Sequence, residues 1–350
     1  MMLSSLHAIA AQATGLPAGD IELTPRAPLE HQANRLYDFW AAGRHLILKE
    51  FLLPDERHAA AAREYQALKL LAPLDLAPQP VFFDPSLGPV VIYEFMAGEM
   101  WDRRKPTTAD LAQLAGAWLQ MHAATPAQPW LAHNADQPLE RICARLQTHL
   151  QAYADWVAAE FPAGRAAANA CLGLLASRRD ALDELTAAKP VLCFCKADPR
   201  FANVIQRPTG RLGLIDWEDG GLLDPTRDLA DVMTHPNQED LLSLDEWPAF
   251  VQPYLAGRGA LDASLARRAH LYQALFPIFW LTVIMNQGRR LASEASVASN
   301  AHLAGWSING LPPNQRLRRY LARAQAWPAL NFARELDQLN GLEFFPCREP

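Results

Sequence analysis

The sequence has no excess of basic residues of the kind that suits nucleic acid. Lys and Arg number 32 against 38 Asp and Glu, which gives a formal net charge of −6. The basic residues are scattered, and only short clusters such as Arg316 to Arg319 occur. A protein that binds the phosphate backbone needs a concentrated patch of positive charge. We therefore expect no nucleic-acid partner.

Long apolar runs are also missing. The longest, Leu275 to Met285, is interrupted by Pro277 and is much shorter than the ~20 residues that a membrane-spanning helix needs. The first residues, Met1 to Gln12, have the pattern of an amphipathic helix and lack the basic segment and apolar run of a secretory signal. We expect neither a secreted nor a membrane protein.

Cysteine is scarce and irregularly spaced. An odd number, 5, fits reduced thiols in the cytoplasm better than a disulfide framework. Cys193 and Cys195 lie in the apolar run Val191 to Cys195, where alternate residues of a strand face the same side. No His or Cys at zinc-ligand spacing accompanies them, so the sequence predicts that both thiols pack in the core.

The composition is that of a globular protein, with 50% hydrophobic and 20% charged residues in 350. This length exceeds that of a typical single domain and predicts two lobes around a cleft. The lobes divide by character. Residues 1–96 favour strands and one helix, whereas residues 97–350 are mainly helical, so the fold class is α+β.

Particular segments carry this division. Arg35 to Phe39 and His45 to Lys49 flank Ala42-Gly43, which predicts a β-hairpin, and Arg57 to Leu71 has helical spacing. A further strand is predicted at Val90 to Phe95. Beyond it the sequence predicts helices at Thr107–Ala124, Leu139–Glu160, Ala166–Ala187 and from Asp228 onward, interrupted by short strands at Val191–Cys195 and Leu212–Asp216, with Asn203–Gln206 as a candidate partner.

The segment with the clearest chemistry runs from Lys196 to Glu218. Asp198 follows a predicted strand, Asn203 comes five residues later, and Asp216 ends the next predicted strand. Phosphoryl transfer needs a carboxylate that orients the attacking hydroxyl, together with hard oxygen ligands for the magnesium of ATP. These three side chains can supply both functions.

This segment resembles the aminoglycoside phosphotransferase and choline kinase family, whose members are relatives of the protein kinases. The resemblance implies a bilobal protein-kinase-like fold, with Asp198 as the catalytic base and Asn203 and Asp216 as magnesium ligands. The family's Asp-Pro-x-x-Asp-Leu-Ala pattern is matched from Asp224 to Ala230, and by resemblance Asp228 is a structural acid.

Upstream residues extend the resemblance to about residues 34–230. It implies that Lys49 holds the ATP phosphates and is oriented by Glu64. It also implies that the backbone around Glu94 and Met96 binds adenine, that Asn34 belongs to the phosphate loop, and that His122 has a packing role. ATP and Mg²⁺ are thus the expected cofactors.

Each of these residues also has an ordinary structural interpretation. Lys49 could be a surface lysine at the end of a strand, and Glu64 a solvated helix residue. Asp198 and Asp216 could each stabilise a turn. We favour the joint interpretation because all four occur in the required order on elements of the required type.

Two features depart from the family pattern. Lys196 stands in the catalytic loop where the family has His, and we expect it to pair with Asp216 or with a phosphate. If it paired with Asp198 instead, it would weaken that base. Residues 30–34 replace a glycine-rich phosphate loop and contain no glycine, so nucleotide affinity could be reduced.

The leading functional hypothesis is ATP-dependent phosphorylation of a hydroxyl on a small molecule. An amino sugar or amino alcohol is the first expectation for the acceptor, because acidic and aromatic side chains attract cations. The candidates in the helical lobe are Glu218, Asp219, Asp231, Trp280 and Trp306. Residues of these types are more often ordinary surface and core residues.

Two alternatives remain beside this hypothesis. Lys196 and the glycine-free loop would also suit a pseudokinase that binds a nucleotide or a partner without turnover. A protein kinase is disfavoured, because no Phe-Gly follows Asp216 and the segment before Asp228 is too short for an activation loop.

Overall fold

A computed structural model describes most of the first 258 residues and selected positions after them. The described residues are 1–26, 34–54, 56–101, 104–133, 144, 146–152, 164–177, 190–238, 241–243, 246–258, 265, 268, 269, 272, 275, 276, 278–280, 282 and 283. Residues 30–33 of the expected phosphate loop, Trp306, and the predicted helices after 283 lie outside them, as do parts of the helices predicted at Leu139–Glu160 and Ala166–Ala187.

The chain forms two compact units. Unit 1 contains the described residues of Met1–Arg104, Ala117–Asn134 and Cys193–Leu223. Unit 2 contains the described residues of Lys105–Gly116, Ala135–Leu192 and Asp224–Pro350. All strands belong to unit 1 among the residues that the structure describes, and unit 2 is helical. This composition agrees with the predicted α+β class.

The N-terminal part of unit 1 is a five-stranded antiparallel sheet with the strand order β1-β2-β3-β5-β4. Its elements are α1 (Leu3–Thr14), β1 (Thr24–Pro25), β2 (Asn34–Ala41), β3 (Arg44–Phe51), α2 (Arg57–Leu71), β4 (Pro80–Phe82) and β5 (Val90–Glu94). The predicted amphipathic N-terminal helix, hairpin and first Ala-rich helix are all present. The sequence interpretation missed β1 and β4, which are only two and three residues long.

The hairpin of β2 and β3 has a two-residue turn. Ala42 and Gly43 both have positive φ, at 51° and 74°, between the paired residues Ala41 and Arg44. Positive φ at both central positions defines a type I′ turn, whose twist matches that of the flanking strands. The turn sets the register that pairs Leu36 with Lys49.

Alternation along β3 places apolar and charged side chains on opposite faces of the sheet. Leu46 and Leu48 join Leu6 and Ile9 of α1 in one buried cluster. Lys49 points to the other face, where its Nζ contacts Glu64 of α2. The sheet therefore lies between two helices, and the face covered by α2 carries the polar groups.

Two small sheets complete unit 1. Strands β6 (Glu99–Met100), β8 (Val204–Gln206) and β9 (Leu212–Leu214) form one sheet, and β7 (Cys193–Cys195) pairs antiparallel with β10 (Gly221–Leu223). The predicted partner at Asn203–Gln206 is confirmed as β8. The predicted strands Val191–Cys195 and Leu212–Asp216 are shorter than expected: Val191 and Leu192 are exposed, and Asp216 adopts a positive φ of 65° that no strand allows.

The predicted helix at Thr107–Ala124 is confirmed as α3 (Thr108–Ala123), which contributes residues to both units. Unit 2 also contains α4 (Gly164–Ser177), α5 (Pro225–Thr234) and α6 (Pro248–Arg258). No helix among the described residues is both long enough and apolar enough to cross a membrane.

The start of α5 corrects the prediction that a helix begins at Asp228. Asp224 is the N-cap: its Oδ1 accepts hydrogen bonds from the backbone N–H of Thr226 at 3.0 Å and from the Thr226 hydroxyl at 2.7 Å. Pro225 occupies the first helical position, where its missing N–H costs nothing. Asp228 is instead buried inside the first turn of the helix.

Candidate active site

Lys49 is the centre of a buried ionic cluster in unit 1. Its Nζ lies 2.6 Å from Oδ1 of Asp216, and 3.2 Å from Oε2 of both Glu64 and Glu218. Only 2% of the residue is exposed. Burial by itself lowers the pKa of Lys49, but the three carboxylates, led by Asp216, outweigh it and raise the pKa well above its usual value. The ammonium therefore stays protonated, and the interpretation of Lys49 as a surface lysine is wrong.

Glu64 connects the ammonium to the segment that follows β9. Its Oε2 accepts hydrogen bonds from Nζ of Lys49 at 3.2 Å and from the backbone N–H of Trp217 at 2.6 Å. Burial raises the pKa of Glu64 to about 7, although Lys49 acts in the opposite direction. Glu64 is 1% exposed, so the interpretation as a solvated helix residue is also wrong.

Asp216 lies in a left-handed backbone conformation just after β9. This conformation is uncommon for a residue with a side chain and turns the carboxylate out of the strand direction. Nδ2 of Asn203 donates to Oδ2 of Asp216 at 3.3 Å, while the other oxygen faces Lys49. Burial acts to raise the pKa of Asp216, but Lys49, Lys196 and Arg200 lower it to about 2. The carboxylate is ionised at neutral pH.

Asp198 is the third residue after the end of β7 and lies at the start of a tight turn. The backbone N–H of Arg200 donates to the carbonyl of Asp198 at 3.0 Å, and Nε of Arg200 lies 2.7 Å from its Oδ2. Ala197, directly before it, has a φ of 64°. The loop thus holds the Asp198 carboxylate against Arg200 and next to a strained alanine.

Lys196 is buried and turned towards Asp216. Its Nζ donates a short hydrogen bond to the backbone carbonyl oxygen of Asp216 and lies 5.0 Å from the centre of the Trp217 ring. Lys196 therefore pairs with Asp216 as expected. The hydrogen bond is to the main-chain carbonyl, and the charge of Lys196 also lowers the pKa of the Asp216 carboxyl. Lys196 therefore braces the backbone that presents Asp216.

Glu218 and Asp219 belong to the same cluster and not to the helical part of the chain, where the sequence interpretation put an acceptor site. Glu218 contacts Lys49 and also accepts a hydrogen bond from Nδ2 of Asn34 at 2.6 Å. Burial, followed by the carboxylates of Asp198, Glu218 and Asp216, raises the pKa of Asp219 to about 7. The sequence contained no signal that distinguished these acids from surface residues.

The cluster has more carboxylates than cations among the described residues. Four cations accompany five acids: the cations are Lys49, Lys196, Arg200 and Arg63, whose Nε donates to the Glu218 carbonyl at 2.6 Å, and the acids are Glu64, Asp198, Asp216, Glu218 and Asp219. An uncompensated acidic cluster next to an amide oxygen, that of Asn203, suits a hard divalent cation such as Mg²⁺. Asp216 and Asn203 are the residues that fit such an ion by their oxygen atoms and their mutual contact.

Glu94 and Met96 occupy the end of β5 and the segment after it. The backbone N–H of Glu94 donates to the Gln79 carbonyl, and that of Phe95 to the His45 carbonyl, each at 2.9 Å. The Glu94 side chain forms an exposed pair with Arg44. Met96 packs against Gly213 of β9 so closely that a Cβ at that glycine would collide with its sulfur. The structure brings this segment to β9, and the adenine contact remains a prediction.

An aromatic and acidic cluster lies in unit 2. Nε1 of Trp280 donates to Oδ1 of Asp231 at 3.0 Å, and its ring meets those of His235 and Phe279 edge to face at 4.5 and 5.4 Å. Asp231 is 5% exposed, whereas Trp280 and Phe279 are half-buried. Within the described part of unit 2, this cluster combines a carboxylate with half-buried aromatic rings.

The family comparison agrees with this arrangement. The model of the phosphotransferase enzyme family matches residues 25–271, and the chain belongs to this family. No curated protein sequence matches the chain significantly. The predicted family is therefore confirmed, and the chain is a member of a phosphotransferase family.

Solved structures of low sequence identity share the fold. The choline kinase LicA from Streptococcus pneumoniae is 18% identical, with 91% of this chain and 99% of that chain covered and a TM-score of 0.56. The choline kinase from Cryptosporidium parvum is 13% identical, with 97% of each chain covered and a TM-score of 0.59. The ADP-bound aminoglycoside phosphotransferase APH(2'')-Ib is 13% identical, covers 93% and 97%, and has a TM-score of 0.56. The predicted kinase-like fold is confirmed.

Proposed function

We propose that this protein transfers the γ-phosphoryl group of ATP to a hydroxyl group of a small molecule that carries an amine. The observation that carries the proposal is the network in which Lys49 contacts both Glu64 and Asp216 while Asn203 contacts Asp216. A buried cation beside oxygen ligands is the arrangement that phosphoryl transfer requires, because catalysis there consists of positioning and charge stabilisation.

Each residue has a role in this proposal. Lys49, held by Glu64, would bind the ATP phosphates, and Asn34, through its contact with Glu218, would lie at the phosphate loop. Asn203 and Asp216 would hold Mg²⁺, which when bound neutralises the phosphate oxygens. The backbone around Glu94 and Met96 would contact the adenine. An AMP complex of LicA and an ADP complex of APH(2'')-Ib support nucleotide binding in this fold.

Asp198 would act on the acceptor. Its carboxylate would orient the attacking hydroxyl and accept its proton as the oxygen bonds to the γ-phosphorus and the bond to the bridging oxygen of ADP breaks. The salt bridge to Arg200 fixes the position of this carboxylate in the loop. Lys196 would hold the Asp216 backbone next to it, a positioning role that does not require contact with the substrate.

An amine-bearing acceptor is supported by the names of proteins that have a similar fold. The solved structures of similar fold include enzymes named for choline, ethanolamine and aminoglycosides. The proposal extends to a lobe boundary between residues 96 and 97. It also extends to a cytoplasmic location, in keeping with three cysteines among the described residues that form no disulfide.

The first experiment measures nucleotide binding. ATP with Mg²⁺ at about a hundredfold excess over its Kd is expected to stabilise the wild type by about 2 to 3 kcal/mol in thermal unfolding. Asp216→Asn should lose most of the part that depends on Mg²⁺, while the surface control Asp84→Asn should keep it. Absence of any shift with the wild type would reject the proposal.

The second experiment separates a kinase from a pseudokinase. The protein is incubated with Mg-ATP and a panel of hydroxylated amines and amino sugars, and products are identified by the mass of an added phosphate. A phosphorylated acceptor confirms turnover. A protein that binds Mg-ATP but phosphorylates none of these acceptors and hydrolyses no ATP is the pseudokinase that the glycine-free loop would suit.

A further inference from the structure

The second polar cluster of unit 1 contains sulfur and nitrogen instead of oxygen. His122 near the end of α3 meets Cys193 and Cys195 of β7, and one ligand atom from each lies within 4.8 Å of the other two. All three side chains are buried, with 3%, 6% and 0% of the residues exposed. The sequence predicted core packing for both thiols because no ligand was near in the chain, but the fold brings His122 to them.

The spacing of the two sulfur atoms suits a shared metal ion. Cys193 and Cys195 alternate along β7, so their side chains point to the same face, and the Sγ atoms are 3.9 Å apart. Two thiolates bound to one zinc ion at ~2.3 Å in tetrahedral geometry are separated by about 3.8 Å. The strand therefore already presents the two sulfurs at the distance that a single ion requires.

The composition of the cluster selects the type of ion. Two thiolates and one imidazole are soft or borderline ligands, which favour zinc(II) and copper(I) over magnesium or calcium. Two thiolates also balance the charge of zinc(II) inside a buried site. Sγ of Cys195 also contacts β10, because it donates to the carbonyl oxygen of Leu223 at 3.7 Å.

We propose that His122, Cys193 and Cys195 form a structural site for one thiophilic metal ion, zinc(II) or copper(I). The ion would join α3 to β7 directly before the loop that contains Lys196 and Asp198. This site uses sulfur and nitrogen ligands and shares no residue with the proposed magnesium ligands Asn203 and Asp216. The inference does not depend on the proposed phosphotransfer, because its test measures metal binding and stability.

The test begins with metal content. The full-length protein, purified under reducing conditions after expression in medium with zinc or with copper, is analysed by mass spectrometry of its metals. We expect about one ion per chain. The double variant Cys193→Val with Cys195→Val fills the space with apolar groups and should lose the ion, while Cys171→Ser, which removes a buried thiol of α4, should keep it.

A second measurement distinguishes the two ions and keeps the test independent of expression. The reduced metal-free protein is titrated with zinc(II) or copper(I) against a chelator, and its unfolding temperature is followed. The ion that belongs to the site should raise this temperature. His122→Ala removes a ligand and should weaken binding by at least the roughly 10- to 100-fold that loss of a residue supporting a ligand costs. Cobalt(II) in place of zinc should give thiolate charge-transfer absorption in the wild type but not in the double valine variant.

Three outcomes would overturn the proposal. The first is a wild type that binds neither ion in the titration and shows no change in unfolding temperature. The second is a double valine variant that retains the metal. The third is a wild type whose intact mass shows loss of two hydrogens on mild oxidation and whose reduced form binds no metal, which would assign Cys193 and Cys195 to a disulfide.

Discussion

Two groups of buried carboxylates, one in each unit, differ in how they are neutralised. In unit 2, Asp224 is paired with Arg268, whose Nε lies 2.9 Å from Oδ2 and whose second nitrogen lies 3.2 Å from Oδ1. The same carboxylate caps α5 through Thr226. In unit 1, the acids around Lys49 outnumber the cations among the described residues, and two of them, Glu64 and Asp219, have a pKa raised to about 7.

The difference separates a structural role from a functional one. A carboxylate with a two-point arginine partner and cap hydrogen bonds is satisfied within the protein and favours folding only as long as the pair is intact. A group of acids with too few cations raises the energy of the folded protein unless a ligand brings positive charge. The excess of carboxylates around Lys49 thus indicates a ligand site, and Asp224 does not.

The largest expected effect is on activity at Asp198. Asp198→Asn keeps the size of the side chain but removes the group that accepts the proton, so phosphotransfer should fall by about two to four orders of magnitude. The measurement is the steady-state rate with the acceptor found in the screen. Thermal unfolding should change little, and the control Asp84→Asn should retain full activity. A drop in rate below tenfold would remove Asp198 from the role of base.

Breaking the balanced pair should instead affect stability. Arg268→Met leaves the Asp224 carboxylate buried without its partner, and we expect a loss of about 3 kcal/mol in the free energy of unfolding, measured in urea. The double variant Arg268→Met with Asp224→Asn should recover part of this loss, because no unpaired charge remains. The single variant Asp224→Asn completes the cycle, and a loss in the double variant equal to the sum of the two single losses would show that the pair carries no coupling.

Removing one negative charge from the acidic cluster around Lys49 should instead increase the free energy of unfolding. The folded-state pKa of Asp219 is raised to about 7 from 3.8, so ionisation opposes folding and the cost is present in full above pH 7. Asp219→Asn is expected to stabilise the protein by about 1 kcal/mol at pH 8 and by less at pH 5, where the native carboxyl is protonated. Urea unfolding at both pH values, with Asp20→Asn as an exposed control, tests this sign. A loss of stability at pH 8 would contradict it.

The smallest effect concerns the backbone next to Asp198. Ala197 has a φ of 64°, which costs an alanine more than a glycine. Ala197→Gly should therefore raise the free energy of unfolding by about 0.5 to 1 kcal/mol, whereas Ala117→Gly inside α3 should lower it by a similar amount. The two substitutions have the same chemistry, so a loss of stability in both would rule out backbone strain at Ala197.

The sequence interpretation succeeded where local rules decide the structure. The hairpin of β2 and β3 follows from alternation and a short turn, and α2 from helix formers at helical spacing. It failed for β4, β6 and β10, which have two or three residues each and exist only because a neighbouring strand supplies hydrogen bonds. It also put the start of α5 at Asp228, because Asp224 and Asp228 are both acceptable N-caps by type, and Pro225 decides between them.

Candidate residues of the site were named from order and residue type, but their partners were not. Lys49, Glu64, Asp198 and Asp216 were selected as a set, together with Asn203. The structure joins Lys49, Glu64, Asp216 and Asn203 by direct contacts. Glu218 as the contact of Lys49 and Asn34, Arg200 as the partner of Asp198, and the main-chain contact of Lys196 had no local signal. Each depends on a distance between segments that are far apart in the chain or on a turn whose φ angles are not encoded by one residue.

The amino-acid sequence by itself determined the α+β class and the order of the acids, amide and lysine that phosphoryl transfer needs, because these depend on composition, periodicity and residue type. The family was recognised from the resemblance of its motifs. The tertiary structure alone decided which charges are paired, which are in excess, and that His122 meets Cys193 and Cys195. The physical reason is that the energy of a buried charge or ligand depends on separations of a few ångströms, and chain folding sets those separations.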